Sequence, residues 1–200
     1  DLVRSRGLGD VYKRQSLLLL GERAPDTVGI LAPTAGLTLA ALLQEQLSVP
    51  ARTKWPNDVR VRGKKLAGIL VETRGTPPTL VIGIGLNLRL PRRLPPALSD
   101  KVTALASECS RLVPREDLLS SSLGRLEKQI ALCQSGKTAA IVEEWKRYDE
   151  FYGRSVQVRA GRTTLVGTDL GISPEGRLLL DTPEGLKAIS AGEIIGLRPE

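Results

Sequence analysis

Residues 54–58, Lys-Trp-Pro-Asn-Asp, are followed by residues 63–70, Gly-Lys-Lys-Leu-Ala-Gly-Ile-Leu, and by residues 83–88, Gly-Ile-Gly-Leu-Asn-Leu. Pro56, Asn57 and Asp58 are turn formers, so the extended run at residues 52–55 ends there. Val59 and Val61 alternate with polar residues into Arg62-Gly63-Lys64, and residues 66–72 read as the return strand of a hairpin. Thr76-Pro77-Pro78 breaks the chain before a further strand at residues 80–88. Upstream, residues 31–47 carry a helical pattern, with Leu39, Leu42 and Leu43 on one face and Pro33 in the first turn. Residues 16–20 form a short apolar run that suits a buried strand. Strands joined by tight turns after one helix predict an α+β fold with a mixed, largely antiparallel sheet packed with helices.

Each of the three segments has a chemical reading and a plainer one. Trp55 offers a flat apolar wall, while Asn57 and Asp58 present an amide and a carboxylate that suit an amino-bearing ring or hydrated Mg²⁺. The same residues would also serve as a strand-ending turn. Lys64 and Lys65 meet a strand whose Ala67 and Gly68 leave room for a ligand against the backbone; a charged hairpin with a close-packing glycine reads equally well. Gly83, Gly85 and Asn87 occupy one face of a strand. The nucleotide-binding continuation G-x-G-x-x-G is missing there, so the glycine pair alone decides nothing.

Farther along, residues 89–96 are rich in proline and arginine and read as a loop. Pro114, Glu116 and Asp117 open a helix whose stripe is Leu119, Leu123, Leu126, Ile130 and Cys133, ended by Gly136. Ile141, Trp145 and Tyr148 repeat the spacing on a second helix, closed by Gly153. From residue 154 short alternating runs and turns at Gly161, Pro174-Glu175-Gly176 and Pro183-Glu184-Gly185 predict four or five strands, a small β-barrel of SH3-like size. Too small to be stable alone, it is expected to dock on the preceding unit. Residues 1–15 show neither periodicity nor a helix start and read as an unrelated leader. The expected organisation is therefore 1–15, 16–153 and 154–200.

Composition narrows the function. The chain has 200 residues, of which 41% are hydrophobic and 26% charged, so a core can be buried and a disordered or collagen-like chain is excluded. The absence of histidine excludes a His general base, Ser-His-Asp or Cys-His catalysis and a His-ligated metal. Cys109 and Cys133 are too few for a zinc knuckle or a disulfide framework and are expected to be reduced and buried, as in a cytosolic protein. Lacking methionine and beginning at Asp1, the sequence is expected to be a fragment or a processed form. The leucine run at residues 17–20 is too short for a signal peptide. The longest uncharged run, residues 27–44, contains Pro33 and two glycines and falls short of the ~20 apolar residues of a membrane span. A soluble cytoplasmic protein is expected.

The net charge of +7 belongs wholly to residues 1–100. Within residues 52–65, Arg52, Lys54, Arg60, Arg62, Lys64 and Lys65 stand against Asp58 alone. So compact a patch fits an anionic partner or a solvated basic hairpin. Most of the aromatics (Tyr12, Trp55, Trp145, Tyr148, Phe151, Tyr152) lie elsewhere in the sequence, which disfavours a base-stacking platform. A small polyphosphate or an acidic ligand fits better.

In order and spacing, the three segments closely resemble the catalytic domain of biotin protein ligases, or biotin–[acetyl-CoA-carboxylase] ligases. The resemblance runs from about Ser16 through Ala191-Gly192-Glu193-Ile194. It implies a class II synthetase-like biotinyl/lipoyl ligase domain at 16–153 and an SH3-like C-terminal domain at 154–200. It also implies ATP-dependent formation of biotinyl-5′-AMP, with Mg²⁺, and transfer of biotin to a lysine of a biotin carboxyl carrier protein. By the same resemblance Lys65 is the catalytic lysine, and it binds biotin together with Gly68, Gly83 and Gly85. Asn57, Asp58, Asn87 and, loosely, Arg198 fall on the nucleotide side. Mg²⁺ arrives with ATP, with Asp58 as the one candidate contact and no protein-held metal otherwise. Lys64 is expected to face solvent and Trp55 to be a structural wall. No membrane and no nucleic acid is expected as a partner of these residues; a homodimer is compatible.

One departure matters. The family's Gly/Arg-rich loop, roughly GRGRxGR, and the Thr-Asn segment before it have no counterpart upstream of Ser16. Arg4-Ser5-Arg6-Gly7-Leu8-Gly9 is too close to Ser16 to replace them. These 200 residues alone are therefore expected to keep the fold core and have little ligase activity. Two other readings compete: a lipoate or octanoate ligase or transferase, and a non-enzymatic basic module that binds nucleic acid through residues 52–65.

Overall fold

Alternation of apolar side chains along the central strands sets the layers. The computed structural model describes residues 15–18, 28–74, 76, 79–111 and 114–197. Strands β1 (Gln15–Leu18), β2 (Ala51–Lys54), β3 (Asp58–Val61), β4 (Lys64–Arg74) and β5 (Thr79–Leu86) form one sheet in the order β1-β5-β4-β3-β2, with every neighbouring pair antiparallel. Val59, Val61, Ala67, Ile69, Ile82 and Leu86 are buried on one face. Against that face lies α1 (Val28–Leu47), buried from Ile30 to Leu43 at every position but Ala32. At Gly36 there is room for a methyl group and little more: it would sit 3.5 Å from Ile69 Cδ1 and 3.8 Å from Val59 Cγ2.

Behind α1 pack α4 (Arg115–Gln134) and α5 (Ala139–Tyr148); the short α2 (Pro96–Ser99) and α3 (Leu105–Glu108), unforeseen in the sequence, interrupt the loop before them. Three expectations change in detail. Gln15, assigned to the leader, pairs with Ile84 and belongs to the first sheet; residues 1–14 lie outside the described residues. The face of α4 is led by Leu118, which is buried, whereas Leu119 and Leu123 are half-buried, since two adjacent leucines on a helix point about 100° apart and cannot both face the core. At 20 residues α1 is long and apolar enough to cross a bilayer, and it is burial against sheet and helices that makes it a core helix. Both cysteines are free, Cys133 buried and Cys109 half-buried.

A second five-stranded sheet follows: β6 (Ser155–Ala160), β7 (Thr163–Ile172), β8 (Leu178–Thr182), β9 (Gly185–Ile189) and β10 (Glu193–Leu197), ordered β10-β6-β7-β8-β9. The five antiparallel strands agree with the sequence reading. Closure into a barrel does not follow: β9 and β10 are the two edges, and among the described residues no pairing joins them. This sheet packs on α5 through β7 and touches α1 and the end of β2. The Trp55 indole donates to Gly176 O at 3.0 Å and Lys54 pairs with Glu193 at 3.4 Å, while Glu150, in the segment before β6, donates its N–H to Thr53 O at 2.9 Å.

Candidate active site

One extra residue in β4 aims the candidate lysine. Val59 pairs with Ala67 and Arg60 with Lys65, so Leu66 is inserted as a bulge. Lys65 thereby joins Asp58, Arg60 and Gly68 on the sheet face away from α1, while Lys64 pairs with the buried Val61 on the α1 side. Lys64 is half-buried at that rim rather than free in solvent.

The Lys65 ammonium lies 2.5 Å from Asp58 Oδ1 and extends over Gly68. A methyl group on Gly68 would stand 3.1 Å from both Nζ and Cε, so a side chain there would press on the end of the lysine. Gly85 pairs directly with Gly68, and Gly83 pairs with Leu70. A methyl on Gly85 would approach only Gly68 O, at 3.7 Å, and one on Gly83 only Leu70, at 3.8 Å. These glycines leave a strip of bare backbone, bordered by Leu70, which is 57% exposed in mid-strand. The result is a flat platform with a half-exposed cation at one end.

The asparagines build the platform's frame. Asn57 Nδ2 donates to Ile69 O at 2.8 Å while Ile69 N–H donates to Asn57 O at 2.8 Å, tying the β2–β3 turn to β4. Asn87 Nδ2 donates to Thr103 O at 3.0 Å and reaches Lys65 O at 3.5 Å. The segment before α3 clamps the lysine's own backbone: Lys65 N–H donates to Lys101 O at 2.8 Å, and Thr103 N–H to Lys65 O at 2.9 Å. Nothing in the periodicity of residues 101–103 signals this contribution. Arg198 lies outside the described residues. Trp55 is 1% exposed and stands away from the platform, the wall that the sequence suggested.

Three acids distant in sequence, together with Asp58 inside it, compensate much of the basic run. Arg60 pairs with Glu150 at 2.9 Å and also bonds Gly63 O, Arg62 pairs with Glu108, Lys54 with Glu193 and Lys65 with Asp58. No group of three or more metal-binding side chains gathers among the described residues.

Two family patterns match the sequence. Residues 24–88 match the biotin/lipoate A/B protein ligase family, and residues 151–195 match the biotin protein ligase C terminal domain. The biotin–[acetyl-CoA-carboxylase] ligase of Mycobacterium tuberculosis is 31% identical over 96% of this chain and 73% of its own length. The bifunctional ligase/repressor BirA of Bacillus subtilis is 32% identical over 82% of this chain and 54% of its own. The chain thus spans about half the length of the BirA relatives it matches. Among solved structures, biotin protein ligase from Aquifex aeolicus in complex with biotin and ATP superposes with a TM-score of 0.76 at 28% identity, covering 92% of this chain and 77% of that one. The chain belongs to the biotin protein ligase family.

Proposed function

We propose that the protein activates biotin with ATP and transfers it to a lysine of a biotin carboxyl carrier protein. The observation that carries this reading is the Lys65 ammonium over Gly68, at the end of the glycine strip and beside Asp58. In the first step a biotin carboxylate oxygen attacks the α-phosphate of ATP, giving biotinyl-5′-AMP and pyrophosphate. Two anions must approach, and at ~4 Å in a medium of effective dielectric ~20 each charge pair costs about 4 kcal/mol. Lys65, already positioned, offsets that repulsion and gains strength as charge builds on the phosphate. In the second step the carrier lysine attacks the acyl carbon and AMP leaves.

Gly68, Gly83 and Gly85 let the biotin rings lie on the strand backbone. Asp58 holds Lys65 at rest and yields it to the substrates, and Asn57, Asn87 and Arg198 belong to the nucleotide side. Mg²⁺ comes with ATP, and Asp58 is the carboxylate able to meet it. Residues 154–200 serve as the SH3-like C-terminal domain of the family. A lipoate ligase is the weaker reading, since the relatives above are biotin ligases by name. A nucleic-acid module is weaker too, because Arg60, Arg62 and Lys65 are each paired to an acid.

The test is Lys65→Ala in the full-length protein, assayed for biotinyl-adenylate formation by pyrophosphate release. Loss of about 10²–10³ in rate with an unchanged unfolding midpoint is expected. Retained adenylation would remove Lys65 from this role.

A further inference from the structure

Where the two sheets meet, two carboxyl groups lie inside the protein. Asp149, at the C-terminal cap of α5, is 6% exposed, and Asp169, in β7, is 0% exposed. Both oxygens of Asp149 accept hydrogen bonds, Oδ2 from the Trp145 indole at 2.9 Å and Oδ1 from the Phe151 amide at 3.0 Å. Asp169 accepts one, from Gly171 N–H on Oδ1 at 2.7 Å; its Oδ2 is buried without a hydrogen-bond partner. Backbone bonds bring the two segments together: Gly153 N–H donates to Asp169 O at 2.8 Å, and Asp169 N–H to Arg154 O at 3.0 Å. Asp149 itself bridges to Thr53 of β2.

The surrounding charges do not neutralise the pair. Arg52 faces Asp149 from β2, but its guanidinium is bonded to Arg147 O, and Glu150 beside Asp149 adds negative charge. Lys146 of α5 packs against Gly171 with its ammonium on Glu143 at 2.6 Å, next to Tyr152. Opposite Asp169 in β8 stands Leu180. Neither carboxylate forms an ion pair among the described residues. A buried, unpaired carboxylate with an orphaned oxygen is strongly disfavoured, whereas a protonated carboxyl turns that oxygen into a donor.

We propose that Asp149 and Asp169 hold a single proton at neutral pH, with Asp149 ionised and Asp169 protonated, and that this proton is a condition for docking the second sheet against the first. Asp149, with two N–H donors, is the better anion; Asp169, with one donor and an orphaned oxygen, is the better holder of the proton. Burial and then the Asp149 charge push the Asp169 carboxyl up to about 8. Burial raises Asp149 as well, against the pull of its two N–H donors. With the folded value of Asp169 above its unfolded one, the stability it contributes is complete below the ordinary carboxylate range. It is lost as pH climbs through about 8.

The experiment compares thermal unfolding of the full-length protein and of Asp169→Asn from pH 5 to 9. Isotope-edited infrared spectra at pH 7 and amide-exchange protection of Gly153 and Asp169, corrected for intrinsic rates, accompany it. The wild-type midpoint is expected to fall as pH rises toward 9, while that of Asp169→Asn changes less and overtakes it at the alkaline end. A protonated-carboxyl band is expected at pH 7 in the wild type and not in the variant. Protection of the two amides is expected to fall as pH rises toward about 8 and to level off beyond it, in the wild type alone. Parallel midpoint profiles, absence of the band, or pH-independent protection would each overturn the proposal. Should Asp169→Asn fail to fold, the wild-type band and the slope of its midpoint decide by themselves.

Discussion

Lys65 and Gly68 work as one unit. The lysine can lie along the strand because the third residue after it has no side chain, and a methyl there would press on Cε and Nζ at 3.1 Å. The atoms that must yield are the far end of a flexible side chain, so Gly68→Ala is expected to leave stability within about 0.5 kcal/mol of wild type. It would displace the ammonium, and about 10²-fold loss in the rate of adenylate formation is expected. Stopped-flow adenylation set beside a urea titration separates the two effects. A variant that adenylates normally would show that the ammonium need not rest over this glycine. Lys65 stood out as a candidate because lysine, leucine, alanine and glycine follow in order between two other motifs. Its clamp by Lys101 and Thr103 was not legible, because backbone hydrogen bonds leave no trace in side-chain pattern.

At the scale of elements, the fit of α1 on the sheet can be probed at Gly36, where it faces β2, β3 and β4. A methyl group there meets Ile69, Val59 and Thr53 at 3.5, 3.8 and 3.9 Å, ordinary contact distances. Gly36→Ala is therefore expected to stabilise the protein by about 1 kcal/mol, the usual gain on replacing glycine inside a helix. Gly36→Leu has no such room and is expected to cost about 1–3 kcal/mol by lifting the helix from β3 and β4. Chemical denaturation of the pair tests the contact, since propensity alone would make both substitutions stabilising. The helix itself could be read from its apolar run. Its burial was expected too, because Pro33 and two glycines interrupt the apolar run, although length and hydropathy alone would also suit a membrane span.

For the whole molecule the decisive contact is the junction between the sheets. Gly176 has φ +79° and faces Gly29 so closely that a methyl would fall 2.4 Å from its carbonyl oxygen. Backbone on both sides cannot step aside. Gly176→Ala is expected to cost at least about 1–3 kcal/mol, from the left-handed backbone before any separation of the sheets. Trp55→Phe, which keeps the ring and loses the indole bond to Gly176 O, is expected to cost about 1 kcal/mol. Differential scanning calorimetry ranks the two, and the reverse order would show that this turn tolerates separation.

Local chemistry is written in the sequence: the turn at Pro56-Asn57-Asp58, the hairpin, the glycine strip, the two helices and the strand-rich tail all follow from residue type and spacing. Partnership across the chain is not. The basic run at residues 52–65 looked uncompensated because Glu108, Glu150 and Glu193 stand 43 or more positions beyond it, and folding alone delivers them to Arg62, Arg60 and Lys54. No spacing or motif marks Asp149 and Asp169 as buried acids; the fold alone places them inside the protein. Short-range sterics and hydrophobic period act between near neighbours, while charge pairing and burial depend on distances that only the folded chain defines.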